Sequence, residues 1–200
     1  MAQHRVVQAV LSPARAATRA RLVESAIALA TEGGYDAVGI RQVAAHAGVS
    51  VPTAYQHVSS RDQLLLEALM ALGDRSTEGV RRRPPRGETP AARLNDVFAR
   101  ILRQAAAKPL LYQALYRGYV ASAPALTGVE GRIGFGPEQA RWIGETLRAG
   151  DTGGRDDEEV AAVARILSSL FLGAMVGVAA GRDVREATAV LEDATRRLLP

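Results

Sequence analysis

Hydrogen-bonding side chains crowd together at Ser50, Thr53, Tyr55, Gln56 and His57, interleaved with the apolar Val49, Val51 and Val58. A buried stretch of this length would be mostly aliphatic, so these groups suit a polar partner better than a core. Base edges and phosphate oxygens are such partners, because both are met by short-range donors and acceptors. The flanking residues supply the scaffold. An Ala-rich run closes on Gly48, Ser50 stands as a helix cap, and Pro52 falls in the first turn, where its missing N–H costs little. Ser60-x-x-Gln63 then has the form of a capping box. Ile40 to Gln63 therefore predicts helix, tight glycine turn, short helix and the start of a long one. In that layout the second helix enters a DNA major groove.

The whole chain has to support such a unit. Its 200 residues allow one or two domains with a real core, and scarce aromatics with plentiful alanine favour helices. Cysteine is absent, which excludes disulfides and thiolate metal sites, and His4, His46 and His57 show no metal-ligand spacing. We expect no metal and no cofactor. The net charge of +4 is carried almost wholly by arginine, with Lys108 the single lysine. We attribute that bias to a GC-rich genome before phosphate binding. No signal-like segment precedes Leu11, and the apolar run Leu170 to Ala180 is shorter than the roughly 20 residues of a membrane span. It reads as a core helix, with no membrane partner and a cytoplasmic location.

Helix signals recur along the chain, and the fold is expected to be all-α. Ser12-Pro13 opens a helix with Leu22, Val23, Ala26, Ile27, Leu29 and Ala30 at core spacing, stopping at Gly33-Gly34. Arg15, Arg19 and Arg21 at its start either reach phosphates or form a solvated face. Ile40, Val43, Ala44 and Ala47 face inward from the next helix, and Leu64, Leu65, Leu69 and Leu72 from the long one. Arg81 to Pro90 breaks the pattern and is read as a solvated linker, some 30 Å from the start of that helix. The expected units are an N-terminal arm (1–11), a helix-turn-helix domain (12–80) and an effector-binding and dimerisation domain (81–200).

Beyond the linker, Thr89-Pro90, Pro109 and Pro137 each open a helix. Residues 121–136 are interrupted by glycines, and their G-R-I-G-F-G lacks the spacing and the preceding strand of a nucleotide loop. Four carboxylates, Asp156 to Glu159, lead a helix with a broad apolar face from Val160 to Val178. Asp183-x-x-Glu186 caps the last helix, whose stripe runs Val190, Ala194 and Leu198. Large apolar faces and phenols at Phe98, Leu102, Leu111, Tyr112, Leu115, Tyr116, Tyr119, Trp142, Phe171 and Met175 suit an apolar effector pocket, or plain core. No ring of carboxylates or arginines appears among them, which argues against a highly charged ligand.

Arg21 to Ala68 resembles the N-terminal domain of the tetracycline-repressor (TetR) family. The motif residues are Gly34-Tyr35, Ile40-Arg41-Gln42-Val43-Ala44, Ala47-Gly48-Val49-Ser50, Thr53-x-Tyr55-x-His57-Val58 and Ser60-Arg61-x-x-Leu64-Leu65. They cover about a quarter of the chain in the family's order and spacing. Gly39 departs from the usual Ser or Thr cap, Pro52 from the commoner glycine, and Arg61 from the usual lysine. The resemblance implies a transcriptional regulator, a repressor released from an inverted-repeat operator by a small apolar effector. It implies base contacts from Arg41, Val51, Pro52, Thr53 and Gln56, and phosphate contacts from Thr53, Tyr55, His57 and Arg61, with Ser50 at the same surface. It further implies a homodimer through the last two helices, whose Gly173, Ala174 and Gly177 allow close approach; burial within one protomer is the alternative. A sensor without a transcriptional role and an enzyme are the competing readings. Neither a nucleophile elbow nor a carboxylate pair on one face is found, so we expect no enzyme.

Overall fold

The computed structural model describes residues 13–122, 137–148 and 154–199. Ser12, the glycine-interrupted segment 123–136 and Gly150 lie outside the described residues. Among those described, the structure is helical and contains no strand: α1 Pro13–Gly33, a 3-10 turn Tyr35–Ala37, α2 Ile40–His46, α3 Val51–Tyr55, α4 Arg61–Arg82, α5 Pro90–Ala106, α6 Pro109–Ser122, α7 Pro137–Arg148, α8 Asp157–Ala179 and α9 Val184–Leu198. The all-α expectation holds.

Local chemistry sets the ends of these helices. Gly34 takes φ 67° and Gly48 φ 65°, left-handed conformations that glycine adopts without a Cβ penalty. Gly48 ends α2: its N–H reaches the Ala45 carbonyl, while the Val49 N–H reaches that of Ala44 at 3.0 Å. That wrap turns the chain sharply into α3. Thr89 caps α5 through the Ala92 N–H at 3.2 Å. Asp156 and Glu159 form a reciprocal box at the head of α8, and Asp183 accepts from the N–H groups of Arg185 and Glu186.

Three sequence expectations are corrected. The long helix α4 continues through Arg82, so the break begins at Arg83; Arg81 and Arg82 extend the helix while pairing with Glu78 one turn back. Ser60 caps Gln63 as expected, but the Gln63 side chain takes the Ser59 N–H at 2.8 Å and the Ser59 hydroxyl instead of completing a box on Ser60. In α9 the buried stripe is Ala187, Leu191 and Thr195, one residue off the expected Val190, Ala194 and Leu198. Val190 is exposed, whereas Ala194 and Leu198 pack against the core only partly. Thr195 is the unexpected core member. Its hydroxyl is paired with Asn95 of α5, which removes the cost of burying it.

Packing divides along α4. Its N-terminal half buries Leu64, Leu65 and Leu69 against α1 and α6, closing the core of α1 to α3 around Leu22, Ala26, Val43, Ala44, Ala54 and Val58. Each such buried leucine contributes about 1.5–3 kcal/mol. Its C-terminal half runs on toward α5 and α7. There α5 packs on α8 and α9, α7 lies against α8, and Phe98 stacks on Phe171 with centroids 4.6 Å apart. By length and composition α8 as a whole would cross a membrane, a point the shorter run Leu170 to Ala180 did not reveal; 44% of its most apolar stretch is buried inside the protein.

Candidate nucleic-acid interface and ligand cavity

The short helix α3 is held from beneath and open above. Ala54 and Val58 are buried, and Val51 packs partly against the core. The remaining side chains are thereby fixed outward. Tyr55 is 58% exposed, so its ring is not the half-buried packing element that its type allowed. Pro52 and Gln56 are exposed, and so is Arg41 on α2. Arg41, Tyr55 and Gln56 make no side-chain hydrogen bond or ion pair with the described protein, which leaves their donors and acceptors to an outside partner. Thr53 and His57 are partly buried. Ser50 is committed differently: its Oγ accepts from the Thr53 N–H at 3.2 Å and lies 2.7 Å from Thr53 Oγ1. It therefore caps α3 and orients Thr53.

Arginine was the least legible residue type. Arg19, read as a phosphate or solvent residue, binds Glu67 of α4 through two nitrogens, Nε to Oε2 at 2.8 Å and Nη2 to Oε1 at 2.5 Å. This hydrogen bond holds the guanidinium above its usual pKa, against the opposing effect of burial. Gln63 donates to the same carboxylate at 3.1 Å. Arg75 and Glu24 add a second ion pair between α1 and α4. Arg21 is exposed. His46 lies against α1, with Nδ1 3.0 Å from the Ser25 hydroxyl.

Arg61 opens α4 and sits in a small hub that sequence reasoning missed. Its Cζ lies 4.0 Å from the centre of the Tyr35 ring, and Nη1 is 3.3 Å from the Tyr35 carbonyl and 3.8 Å from Asp36. Arg117 of α6 lies over the same ring at 3.8 Å. The Tyr35 hydroxyl donates to Asp62 at 2.6 Å, and this bond pushes the phenol above its ordinary range. Tyr35 was legible only as a motif residue. Its partners are 26 or more positions away, and no local pattern announces them.

A cavity of about 670 Å³ opens between the C-terminal half of α4 and helices α5, α6, α7 and α8, within the usual range for small-molecule sites. Of the residues expected around an effector, Phe98, Tyr112, Trp142, Phe171 and Met175 line it. The others do not. Leu102, Leu111, Leu115 and Tyr116 are buried in the core, and Tyr119 packs partly against it. All four of the buried residues satisfy core packing on faces of α5 and α6 turned from the cavity. Burial raises the pKa of the Tyr112 and Tyr116 phenols. The lining also holds α4 residues that were overlooked, including Leu69, Leu72 and Thr77, and a rim of both charges: Asp74, Glu78, Arg81, Arg141 and Glu145. The expected uncharged lining is thus confined to the aromatic floor. Gln139 adds a polar group, accepting from Ser168 at 2.9 Å. Among the described residues no cluster of His, Asp and Glu is arranged to hold a metal ion.

On α8, Ile166, Leu170 and Val176 are exposed, and Val190 is exposed on α9. Ala174, expected at a seam between protomers, is 5% exposed and belongs to the protomer's own core.

Comparison with known proteins gives a consistent result. The family described as "Bacterial regulatory proteins, tetR family" matches residues 22–68. The HTH-type transcriptional repressor KstR of Mycobacterium tuberculosis is 32% identical over 162 residues, covering 80% of this chain and 70% of that one. A TetR transcriptional regulator from Rhodococcus sp. RHA1 superposes with a TM-score of 0.71 at 26% identity, over 93% of this chain and 97% of that one. Thermus thermophilus FadR, solved with lauroyl-CoA, shares the fold with a TM-score of 0.65 at 23% identity, over 90% and 92% of the two chains.

Proposed function

The chain belongs to the TetR family of DNA-binding transcriptional regulators, and from that premise we propose that it is a repressor released from an inverted-repeat operator by an apolar small molecule. The observation that carries this reading is α3, a helix anchored by Ala54 whose polar side chains face outward unpaired. In the proposed docking, Arg41, Val51, Pro52, Thr53 and Gln56 meet base edges. The methyl-bearing and apolar groups suit a thymine methyl and the guanidinium suits a guanine edge. Tyr55, His57 and Arg61 grip phosphates and fix register. Ser50 acts through its cap on Thr53. The proposed functional units are the helix-turn-helix domain 12–80, following an arm at 1–11, and the effector and dimerisation domain 81–200.

The effector is proposed to occupy the cavity over the Phe98–Phe171 stack, with Tyr112, Trp142 and Met175 around it. That cavity touches α4 from Leu69 to Arg81, and the other end of α4 presents Arg61. One rigid element thus spans both sites, about 33 Å at 1.5 Å per residue. A ligand shifts the DNA-reading geometry only to the extent that it prefers one placement of α4. KstR is named a repressor and FadR was solved with an acyl thioester; both precedents favour a repressor with a largely apolar ligand. We assign the chain no enzymatic role and a cytoplasmic location, and we propose that it works as a homodimer.

A gel-shift with DNA flanking the chain's own gene tests the reading. Retarded, competitor-resistant complexes that dissolve on adding apolar metabolites are expected. Binding no tighter than to random DNA at moderate salt would refute sequence-specific regulation. Stabilisation in thermal-shift screens only by small, highly charged metabolites would refute the apolar effector.

A further inference from the structure

We infer that Arg117 of α6 is a positioning residue for Arg61, freeing it for a DNA phosphate by competing for the Tyr35 ring; the inference rests on the proposed assignment of Arg61 to the DNA backbone. Both guanidiniums lie about one cation–π distance from a single ring, at 4.0 and 3.8 Å. They are thus closer together than the roughly 8 Å screening length of physiological salt, and they repel. Asp62 fixes the ring by accepting its hydroxyl proton at 2.6 Å, so the ring cannot swing to one arginine and away from the other. The carboxylate nearest Arg61 is the exposed Asp36 at 3.8 Å, a weak competitor. Arg117 has no carboxylate partner among the described residues.

The backbone holds this arrangement in register. Gly118, next to Arg117, lies so close to α4 that a Cβ there would meet Leu65 Cβ at 2.6 Å and the Asp62 carbonyl oxygen at 3.2 Å. Arg117 is therefore pinned against the first turn of α4, the turn that begins with Arg61. When a phosphate draws Arg61 away, the ring keeps Arg117 and loses little. Without Arg117 the ring belongs to Arg61 alone, and a phosphate has to displace it. The same helix lines the cavity through Tyr112, so cavity occupancy and the freedom of Arg61 meet on α6.

Equilibrium binding of a fluorescent operator duplex, titrated across salt, tests this with the full-length protein. Arg117→Gln is expected to weaken binding about three- to five-fold, the scale of one exposed cation–π contact. The slope of log K against log salt should stay unchanged, because no phosphate contact is removed. Arg117→Lys, which keeps a cation over the ring, should restore most of the affinity. In a Tyr35→Leu background the Arg117→Gln effect should fall to the small screened loss of one charge. If Tyr35→Leu does not fold, Arg61→Gln serves as the background, since Arg117 then has nothing to position. A slope lowered by about one in Arg117→Gln would make Arg117 a direct DNA contact and overturn the inference. So would an undiminished effect in either background. Arg61→Gln with an unchanged slope would instead remove the assignment of Arg61 itself, and the inference with it.

Discussion

At the scale of single residues, what distinguishes the arginines is their neighbours, and neighbours distant in sequence are hard to read. Arg41 and Arg19 look alike in sequence, yet Arg19 is gripped by Glu67, 48 positions away, while Arg41 is left open. The polar set on α3 was legible because it is local: Ser50, Thr53 and Pro52 announce their own cap and turn. The mutational expectations follow from that difference. Arg61→Ala should weaken binding to every DNA sequence and lower the salt slope by about one. Thr53→Ala or Arg41→Ala should instead relax preference at particular base pairs, by about 1–3 kcal/mol of discrimination for a good contact. Competition gel-shifts with single-base operator variants separate the two, and uniform losses from all three variants would mean that the docking face is misassigned. Glu67→Gln leaves Arg19 half-buried without its partner. It should lower stability by about 1 kcal/mol, discounted for the exposure of Arg19, with little change in operator preference. Thermal melts check this.

At the scale of elements, helix existence and capping were readable in the sequence, and the facing of each helix less so. Thr89-Pro90, Ser60 and the carboxylates at 156–159 mark starts that the structure keeps, because caps act within one turn. By contrast, the α9 stripe shifted by one residue, since Thr195 becomes core only through Asn95 of α5. The cavity was half legible for the same reason. Aromatic character identified Phe98, Tyr112, Trp142 and Phe171, but whether Leu102 or Leu111 faces a void or a neighbour depends on tertiary packing. Trp142, the only tryptophan, lines the cavity. Its emission should therefore shift or quench when an apolar effector binds and stay unchanged in a Phe171→Trp variant built to fill the floor. An unaltered Trp142 signal on saturation by a DNA-releasing ligand would put the effector elsewhere. Close contact between elements offers a further check. Gly118→Ala drives a methyl into Leu65 and should cost about 1–3 kcal/mol. At Gly173 a Cβ meets nothing within 4 Å of the protomer. Gly173→Ala should leave the protomer's own packing intact, and comparing the two melts tests the α4–α6 approach.

At the scale of the whole molecule, one short recognition helix offers few contacts, and specific binding of this type is built from two half-sites set about 34–36 Å or a multiple apart. A two-fold dimer supplies both. The candidate seam is the outward face of α8 with α9. Leu170 is 37% exposed, Val176 41%, and Ile166 and Val190 are also open to solvent, while Gly173 between them leaves room for a close helix. Ala174 is a poor probe of this seam, because a large side chain there would disrupt the protomer before it touched a partner. Leu170→Glu and Val176→Arg each add a charge to the open face and leave the core untouched. Both variants should melt as folded helical proteins, sediment as monomers at micromolar concentration and lose specific operator binding. A residual, salt-sensitive affinity for any DNA should survive, because each protomer keeps its own α3 and Arg61. Mixing the two variants should restore dimers in part, since a glutamate and an arginine brought across a two-fold seam attract where each alone repels its copy. Variants that remain dimeric and bind an inverted repeat normally would move the interface away from this face.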